Sequence, residues 1–122
     1  MAVPILKQGD ILIASIQAAL SDQDLIQLRD DLAQAVSRVR SRGIVIDISA
    51  LDVMDSFATR TLRGIALTMR LRGAETVIVG IQPDVAFAMV QLGLSLDDIW
   101  VALDLDEGLE LLAAHRRKGA RP

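Results

Sequence analysis

The stretch VIDISALDVMDSFATRTLRG, residues 45–64, joins a buried strand to a helix and so decides the fold class. VIDIS is apolar on both faces except at Asp47, a pattern typical of a central strand covered on both sides. The spacing then predicts a helix from about Ser56 to Arg72, with Gly73 behind it. The residues expected on its inner face are Ala58, Leu62, Ile65 and Met69. A strand that leads into a helix is the unit of an α/β fold.

The alternation of strand and helix extends towards the N-terminus. Two short strands within residues 3–16 flank Gln-Gly-Asp at 8–10, a compact turn signal of the hairpin kind. Ser21, with Asp24 three residues on, resembles a capping box and predicts the start of a helix. Gly43 is expected to stop that helix.

The alternation also extends towards the C-terminus. TVIVGI, residues 76–81, reads as another buried strand. Pro83 suits the first turn of a short helix that Gly93 ends. DDIWVA, residues 97–102, is predicted to contain the last strand.

A final helix is expected to be capped by Asp104 with Glu107. Its basic end, residues 115–118, suits a helix C-terminus electrostatically. Residues 117–122 are expected to be frayed. These elements predict one small α/β domain over residues 1–122, without linker, repeat or low-complexity segment.

Composition excludes several classes of function. The chain has 122 residues, a formal net charge of −3 and no cysteine. An acidic chain without a basic stripe is not expected to bind nucleic acid. The longest apolar runs are far shorter than the roughly 20 residues of a membrane span. The first ten residues lack the pattern of a signal peptide, so the cytoplasm is the expected compartment.

Side chains suited to catalysis are scarce. His115 is the one histidine and is expected to be exposed, and the chain has no cysteine, so a nucleophilic triad or a zinc site lacks parts. No glycine-rich phosphate loop follows a strand. Acids at 97–98 and 104–107 remain, and helix capping accounts for the second group. The sequence therefore predicts a protein that is not an enzyme, with no catalytic residue, metal site or cofactor.

Asp47 raises a phosphoacceptor alternative, because receiver domains place an aspartate at the end of a central strand. They also need an acidic pair after the first strand and a lysine beyond a later strand, to hold the metal and the phosphate. The corresponding segments, ILIASIQ at 11–17 and VIVGIQP at 77–83, supply neither. A receiver domain is therefore excluded.

Ser56 has two interpretations. Its hydroxyl could cap the helix by accepting from the N–H of Ala58 or Thr59, which is the interpretation that spacing favours. The same position suits a phosphate, because unpaired N–H groups and the positive end of the helix dipole meet there. Arg60 and Arg63 lie on the same helical face, near enough to influence an added charge. Spacing alone leaves both interpretations open.

Five short segments, in this order, carry a resemblance to a known family. They are PILK at 4–7, SIQ at 15–17, VIDIS with VMDSFAT at 45–59, GIQPDVA at 80–86 and ALDLDEGLE at 102–110. Together they resemble the STAS domain, the fold of anti-sigma-factor antagonists, over essentially the whole chain. Simple antagonists read Asp-Ser-Ser-Gly-Leu-Gly at the most specific segment, whereas Phe57, Ala58 and Thr59 follow Ser56 here. This departure favours the RsbS-like branch, the scaffolds of the bacterial stressosome.

The resemblance implies a mixed sheet of four to five strands packed with about four helices, and no bound cofactor. RsbS-like proteins assemble with RsbR-like STAS paralogues into a large cytoplasmic complex that sequesters an RsbT-like serine/threonine kinase. That kinase phosphorylates the serine of the Asp-Ser-Phe motif, here Ser56, and is released; an RsbX-like phosphatase resets the scaffold. The hypothetical kinase- and partner-binding surface comprises Asp55, Phe57, Thr59, Arg60 and Arg63.

Two members of that surface carry separate expectations. Phe57 is expected to be buried, as single aromatic residues usually are. Thr59 is a second candidate acceptor, but a threonine in the first helical turn is expected to bond to the chain or to water. The rival class is a STAS anti-sigma-factor antagonist, or a ligand- or partner-binding STAS module, without phosphorylation; there Ser56 would be only a cap. A small hydrolase using Asp or Ser lacks a base.

Overall fold

A computed structural model describes residues 3–119 of the chain, with side chains as far as His115. Within these residues the sheet has five strands: β1 (Ile5–Gln8), β2 (Ile11–Ser15), β3 (Gly43–Asp47), β4 (Glu75–Val79) and β5 (Trp100–Ala102). The helices are α1 (Asp22–Val39), α2 (Ser56–Leu71), α3 (Pro83–Gln91) and α4 (Leu105–Gly119). The mixed sheet of four to five strands with four helices, predicted from the resemblance, is confirmed.

The strands lie in the order β1-β2-β3-β4-β5. β1 and β2 are antiparallel and form the predicted hairpin, with Gly9 at φ 62 in its two-residue turn. The other neighbours are parallel, and Ser15, Asp47 and Val79 stand side by side at the ends of β2, β3 and β4. The carboxyl ends of four strands therefore meet at one edge of the sheet.

The two faces of the sheet are covered unequally. Each parallel strand pairs with the next one along the chain, so right-handed crossovers place the three connecting helices on the same face. Accordingly, buried side chains of α1, α2 and α3 share one large apolar cluster. The smaller cluster on the other face contains Leu112 of α4, packed with strand residues such as Val45 and Val77.

Two predicted caps are confirmed. The hydroxyl of Ser21 accepts from the N–H of Asp24, and the Asp24 carboxylate accepts from the N–H of Ser21, both at 3.1 Å. At α4, the Asp104 carboxylate accepts from the Glu107 N–H at 2.9 Å, and Glu107 accepts from the Leu103 N–H at 3.1 Å. Both helices thus begin where local sequence predicts, because the caps satisfy N–H groups that have no acceptor within the helix.

The predicted end of α1 is wrong. The helix ends at Val39, and Arg40 takes the left-handed conformation with φ 52, while Gly43 begins β3. A Cβ on Gly43 would lie 2.6 Å from Cδ1 of Ile11 and 3.1 Å from Cδ1 of Leu112. Gly43 therefore serves close packing within the sheet rather than helix termination.

The expectation of an exposed His115 holds only in part, because 42% of its side-chain surface is exposed. The ring meets Trp100 edge to face at a centroid distance of 4.6 Å, and Nε2 lies 3.7 Å from a carboxylate oxygen of Glu75. The predicted frayed segment, 117–122, lies partly outside the described residues. Its backbone is helical as far as Gly119.

Thr76 gives a first prediction, on stability. It lies in β4 with 2% of its surface exposed, and its hydroxyl has no hydrogen-bond partner among the described residues. Thr76→Val replaces a buried, unsatisfied hydroxyl by a methyl group of similar shape, so we expect the free energy of unfolding to rise by about 1 kcal/mol. The melting temperature should rise by about 3 °C.

Thr59→Val is the matched control, because Thr59 is equally buried but its hydroxyl donates to the Asp55 carbonyl at 3.0 Å. That substitution should lower the free energy of unfolding by about 1 kcal/mol. Thermal unfolding followed by circular dichroism measures both variants. If both variants shifted the melting temperature in the same direction, the hydrogen bonding of the two hydroxyls would not account for the effects.

Candidate functional site

The candidate site lies at the sheet edge where the parallel strands end. Backbone hydrogen bonds continue past the strands: Ile16 N–H donates to the Asp47 carbonyl at 2.9 Å, and Ile48 N–H donates to the Val79 carbonyl at 3.0 Å. The loops that follow β2, β3 and β4 are therefore held beside one another. The loop between β3 and α2, residues 48–55, is the middle one.

Side chains and close backbone packing fix this middle loop. The Asp47 carboxylate accepts from the N–H of Ser49 at 2.9 Å, so its role here is to hold a turn. The side-chain amide of Gln82 donates to the Ser49 carbonyl at 2.8 Å. A Cβ on Gly80 would lie only 2.7 Å from Cβ of Ser49, so the two segments are in close contact. The start of α2 is therefore attached to a well-supported loop.

Asp55, not Ser56, caps α2. Its backbone is extended, with φ −84 and ψ 178, and its carboxylate accepts from the Ala58 N–H at 2.7 Å. The interpretation of Ser56 as the N-cap, which spacing favoured, is therefore wrong. Aspartate caps helices as well as serine does, and its charge also interacts favourably with the helix dipole.

Ser56 is consequently the first residue of α2. It is half-buried, and its hydroxyl makes no hydrogen bond to any described residue. The N–H groups of a first helical turn point towards the N-terminal end of the helix and have no acceptor within the helix. In α2, the Asp55 carboxylate supplies an acceptor for one of them, the Ala58 N–H. The hydroxyl is thus available for chemistry at a position where an added negative charge meets the positive end of the dipole.

The two arginines of the predicted surface differ in their contacts. Arg63 binds Asp98 through two hydrogen bonds, Nε to Oδ1 at 3.0 Å and a terminal nitrogen to Oδ2 at 2.5 Å. The hydrogen bonds from Arg63 hold the pKa of Asp98 below its usual range, and the same hydrogen bonds raise the pKa of Arg63. Arg60 is exposed and makes no ion pair within residues 3–119. Arg60, one turn after Ser56, is therefore the arginine available to an added charge.

Phe57 and Thr59 lie in opposite environments. Phe57 is 38% exposed, so the expectation that it is buried is wrong. Thr59 is 1% exposed and its hydroxyl donates to the Asp55 carbonyl, as expected of a threonine in the first turn. The structure therefore does not place the Thr59 side chain on the predicted partner-binding surface, nor its hydroxyl where a kinase could reach it.

An apolar pocket beside Ser56 is a feature that the sequence did not predict. It has a volume of about 60 Å³ and lies between the start of α1 and the start of α2. We call it the α1–α2 pocket. Its lining includes Leu20, Leu25, Val53, Met54, Ala58 and Leu62, with Asp55 as its one charged residue. The sequence offered one sign of it, Val53, an apolar residue among acids. The pocket also needs the lining residues of 16–25, a segment that the sequence did not place beside Val53.

The chemistry available to the site is limited. The described residues contain no cluster of three or more His, Cys, Asp or Glu side chains that could hold a metal ion. In the same part of the chain, no helix is both long and apolar enough to cross a membrane. Ser56 is half-buried, and the carboxylate of Asp55, the residue before it, is used in the cap. A reaction at Ser56 would therefore draw its base from a partner.

Comparison with known proteins gives a family match and close structural relatives. The STAS domain matches residues 2–108. RsbS of Moorella thermoacetica, in a form with a serine-to-glutamate substitution, is 40% identical with a TM-score of 0.80, covering 94% of this chain and 97% of that one. A second solved structure describes the molecular architecture of the stressosome, a signal integration and transduction hub. One of its chains is 37% identical with a TM-score of 0.76, and the match covers 93% of this chain and 99% of that one.

A curated relative is named as a co-antagonist of RsbT. RsbT co-antagonist protein RsbRA of Bacillus subtilis (strain 168) is 24% identical over 101 residues. The match takes in 83% of this chain but only 37% of RsbRA, so the chain spans well under half of that relative's length. The resemblance to STAS domains, and to RsbS among them, is confirmed.

Proposed function

We propose that this chain, which belongs to the STAS domain family, is a non-enzymatic RsbS-like scaffold whose Ser56 is a regulated phosphoacceptor. In its unphosphorylated form the scaffold binds and sequesters an RsbT-like serine/threonine kinase. Phosphorylation of Ser56 releases that kinase. The observation that carries the proposal is the identity of the cap: Asp55 rather than Ser56 caps α2, and the Ser56 hydroxyl has no hydrogen-bond partner among the described residues.

The electrostatics of the helix start support a switch that leaves the fold intact. A phosphate on Ser56 adds about −1.5 to −2 charges at pH 7. The helix dipole and the nearby Arg60 favour that charge, whereas Asp52 and Asp55 oppose it. Each of these effects is worth up to about 1 kcal/mol, so they nearly offset one another. The added charge therefore changes the surface potential without melting α2.

The proposed partners follow from the relatives. The kinase is RsbT-like, because RsbRA is named as a co-antagonist of RsbT. RsbR-like STAS paralogues are the proposed assembly partners, since RsbRA is a relative of this chain and a stressosome chain is 37% identical to it. An RsbX-like phosphatase would reset Ser56. The proposed setting is a cytoplasmic complex.

The test of this proposal is intact mass after incubation with ATP and an RsbT-type kinase from the same organism. Wild type should gain one phosphate and Ser56→Ala none, because the kinase has no other accessible acceptor in this motif. Thr59→Ala should gain one phosphate, since its hydroxyl is buried and bonded to the Asp55 carbonyl.

Two results would contradict the proposal. If wild type gained no phosphate from a kinase shown to be active on another substrate, the STAS module without phosphorylation would take its place. If Ser56→Ala still gained a phosphate, the acceptor would lie elsewhere and the assignment to Ser56 would be wrong. A pull-down of the same kinase before and after phosphorylation then measures release.

A further inference from the structure

The α1–α2 pocket opens beside the proposed phosphoacceptor. Asp55, the residue directly before Ser56, belongs to its lining, and so does Ala58 two residues after. The volume of about 60 Å³ exceeds the roughly 10–15 Å³ that one water molecule needs, and it falls far below the roughly 300 Å³ of a small-molecule site. An aliphatic side chain is the object of matching size.

Apolar surface continues outside this pocket. Val53, in the pocket wall, is 66% exposed, and Phe57 is 38% exposed on the other side of Ser56. Exposed apolar residues are normal when isolated, but here Val53 belongs to the lining of one small apolar pocket, and Phe57 directly precedes Ala58 of that lining in the chain. The pocket and these two side chains thus form a surface suited to an apolar anchor from another protein.

The charges around the pocket are mostly negative. The segments that line it run from 16 to 25 and from 51 to 62, and Arg60, near the end of the second segment, is the one Lys or Arg in them. Acids outnumber it: Asp22, Asp52 and Asp55 are exposed, and Asp24 belongs to the α1 capping box. A partner that places an apolar side chain here would therefore gain from cationic residues beside that side chain.

We infer that the α1–α2 pocket is an anchoring site for an aliphatic side chain in a Lys- or Arg-bearing segment of the partner kinase. This inference rests on the proposed function, because it names how the proposed partner is held. A second copy of this chain fits less well as the occupant. An isologous contact would bring the same acids of both copies together.

The position of the pocket also links anchoring to release. Ser56 lies between Asp55 and Ala58 of the pocket lining. A phosphate on Ser56 is strongly hydrated, and an apolar anchor that docks beside it has to remove part of that water. The unphosphorylated scaffold therefore holds the anchor, and the phosphorylated scaffold expels it.

Two neighbouring alanines provide a matched test. Ala18 and Ala19 are both exposed in the loop before α1, but only Ala19 lines the pocket. Ala19→Leu should fill the pocket mouth and raise the Kd for the ADP-bound kinase at least tenfold in calorimetry. Ala18→Leu should leave the Kd within twofold of wild type. Equal Kd values for the two variants would overturn the inference.

Val53→Ser is a second variant in case Ala19→Leu folds poorly, since its exposed position tolerates a polar side chain. It should raise the Kd at least threefold, and an unchanged Kd would count against the pocket.

The role of the acids around the pocket is tested separately. Asp52→Lys should weaken kinase binding more at low salt than at high salt. Asp84→Lys, an exposed acid on α3, should not. The same weakening by both lysine variants would contradict the proposed role of the acids.

The readouts separate this inference from the proposed function. If the variants all bind alike and wild type is phosphorylated on Ser56, only the pocket inference fails. If wild type neither binds the kinase nor gains a phosphate, the proposed function fails and the inference with it. Light scattering of the chain alone tests the other occupant: a dimer that Ala19→Leu dissociates would assign the pocket to a second copy and overturn the inference.

Discussion

Gly80→Ala should lower the free energy of unfolding by about 3 kcal/mol. Gly80 follows β4 with φ +80, a conformation that costs an alanine about 1–2 kcal/mol. The added Cβ would also lie 2.7 Å from Cβ of Ser49, 3.0 Å from its Cα and 3.1 Å from its N. Because two of these atoms belong to the backbone, no rotamer change relieves the contact, and such overpacking costs about 1–3 kcal/mol more. Urea unfolding followed by the fluorescence of Trp100 measures the change.

Gly93→Ala is the control for backbone strain alone. Gly93 has φ +70, and a Cβ there would meet no atom within 4 Å. We expect a loss of about 1 kcal/mol, from the conformational cost only. If both variants lost the same free energy of unfolding, the structure around Ser49 would be able to accommodate the added Cβ without cost. A larger loss at Gly80 would also predict slower phosphorylation of Ser56, since Ser49 is part of the loop that leads to α2.

Regular spacing made the secondary structure predictable. The inward residues proposed for α2 included Leu62, Ile65 and Met69, and all three are buried. The capping box at Ser21 was equally local, because both partners lie within four residues. Interactions between residues a few positions apart depend mainly on the local sequence, so a pattern in the sequence is enough to identify them.

Choices between neighbouring residues of similar propensity were not predictable. Asp55 and Ser56 are both good caps, and local preference does not choose between them. Gly43 looked like a helix terminator, but β3 requires it because Ile11 and Leu112 occupy the space that a Cβ would need. In each case a contact with a distant segment, or the path of a supported loop, decides which residue takes the role.

The pocket was beyond sequence reasoning for a related reason. Leu20 and Leu25 line it from one side, and Val53 and Met54 from the other. Nothing in either segment indicates that they meet, since their proximity follows from the parallel pairing of β2 with β3. The exposure of Phe57 likewise depends on how α2 lies on the sheet rather than on residue type.

Leu112→Ala should lower the free energy of unfolding by about 3 kcal/mol, as much as Gly80→Ala, through the loss of packing on the face of the sheet that α4 covers. Leu112 is 1% exposed, and its methyl groups pack over Gly43, which has no side chain to fill a cavity. In the part of the chain that the structure describes, α4 is the helix that supplies the apolar cluster on this face. The site left by the truncated side chain therefore has little means of collapsing, which is the condition for a large loss.

Leu111→Ala is the control, because the neighbouring leucine is 37% exposed and its truncation should cost less than about 1 kcal/mol. Urea unfolding followed by circular dichroism compares the two variants, and equal losses would contradict the assignment of Leu112 to the core of this face.

Ser56 begins α2, whose buried residues belong to the cluster on the other face. At a temperature where Leu112→Ala remains folded, the kinase should therefore phosphorylate it as fast as wild type. Slower phosphorylation of the folded variant would instead show that the α4 face and the start of α2 are energetically coupled through the sheet.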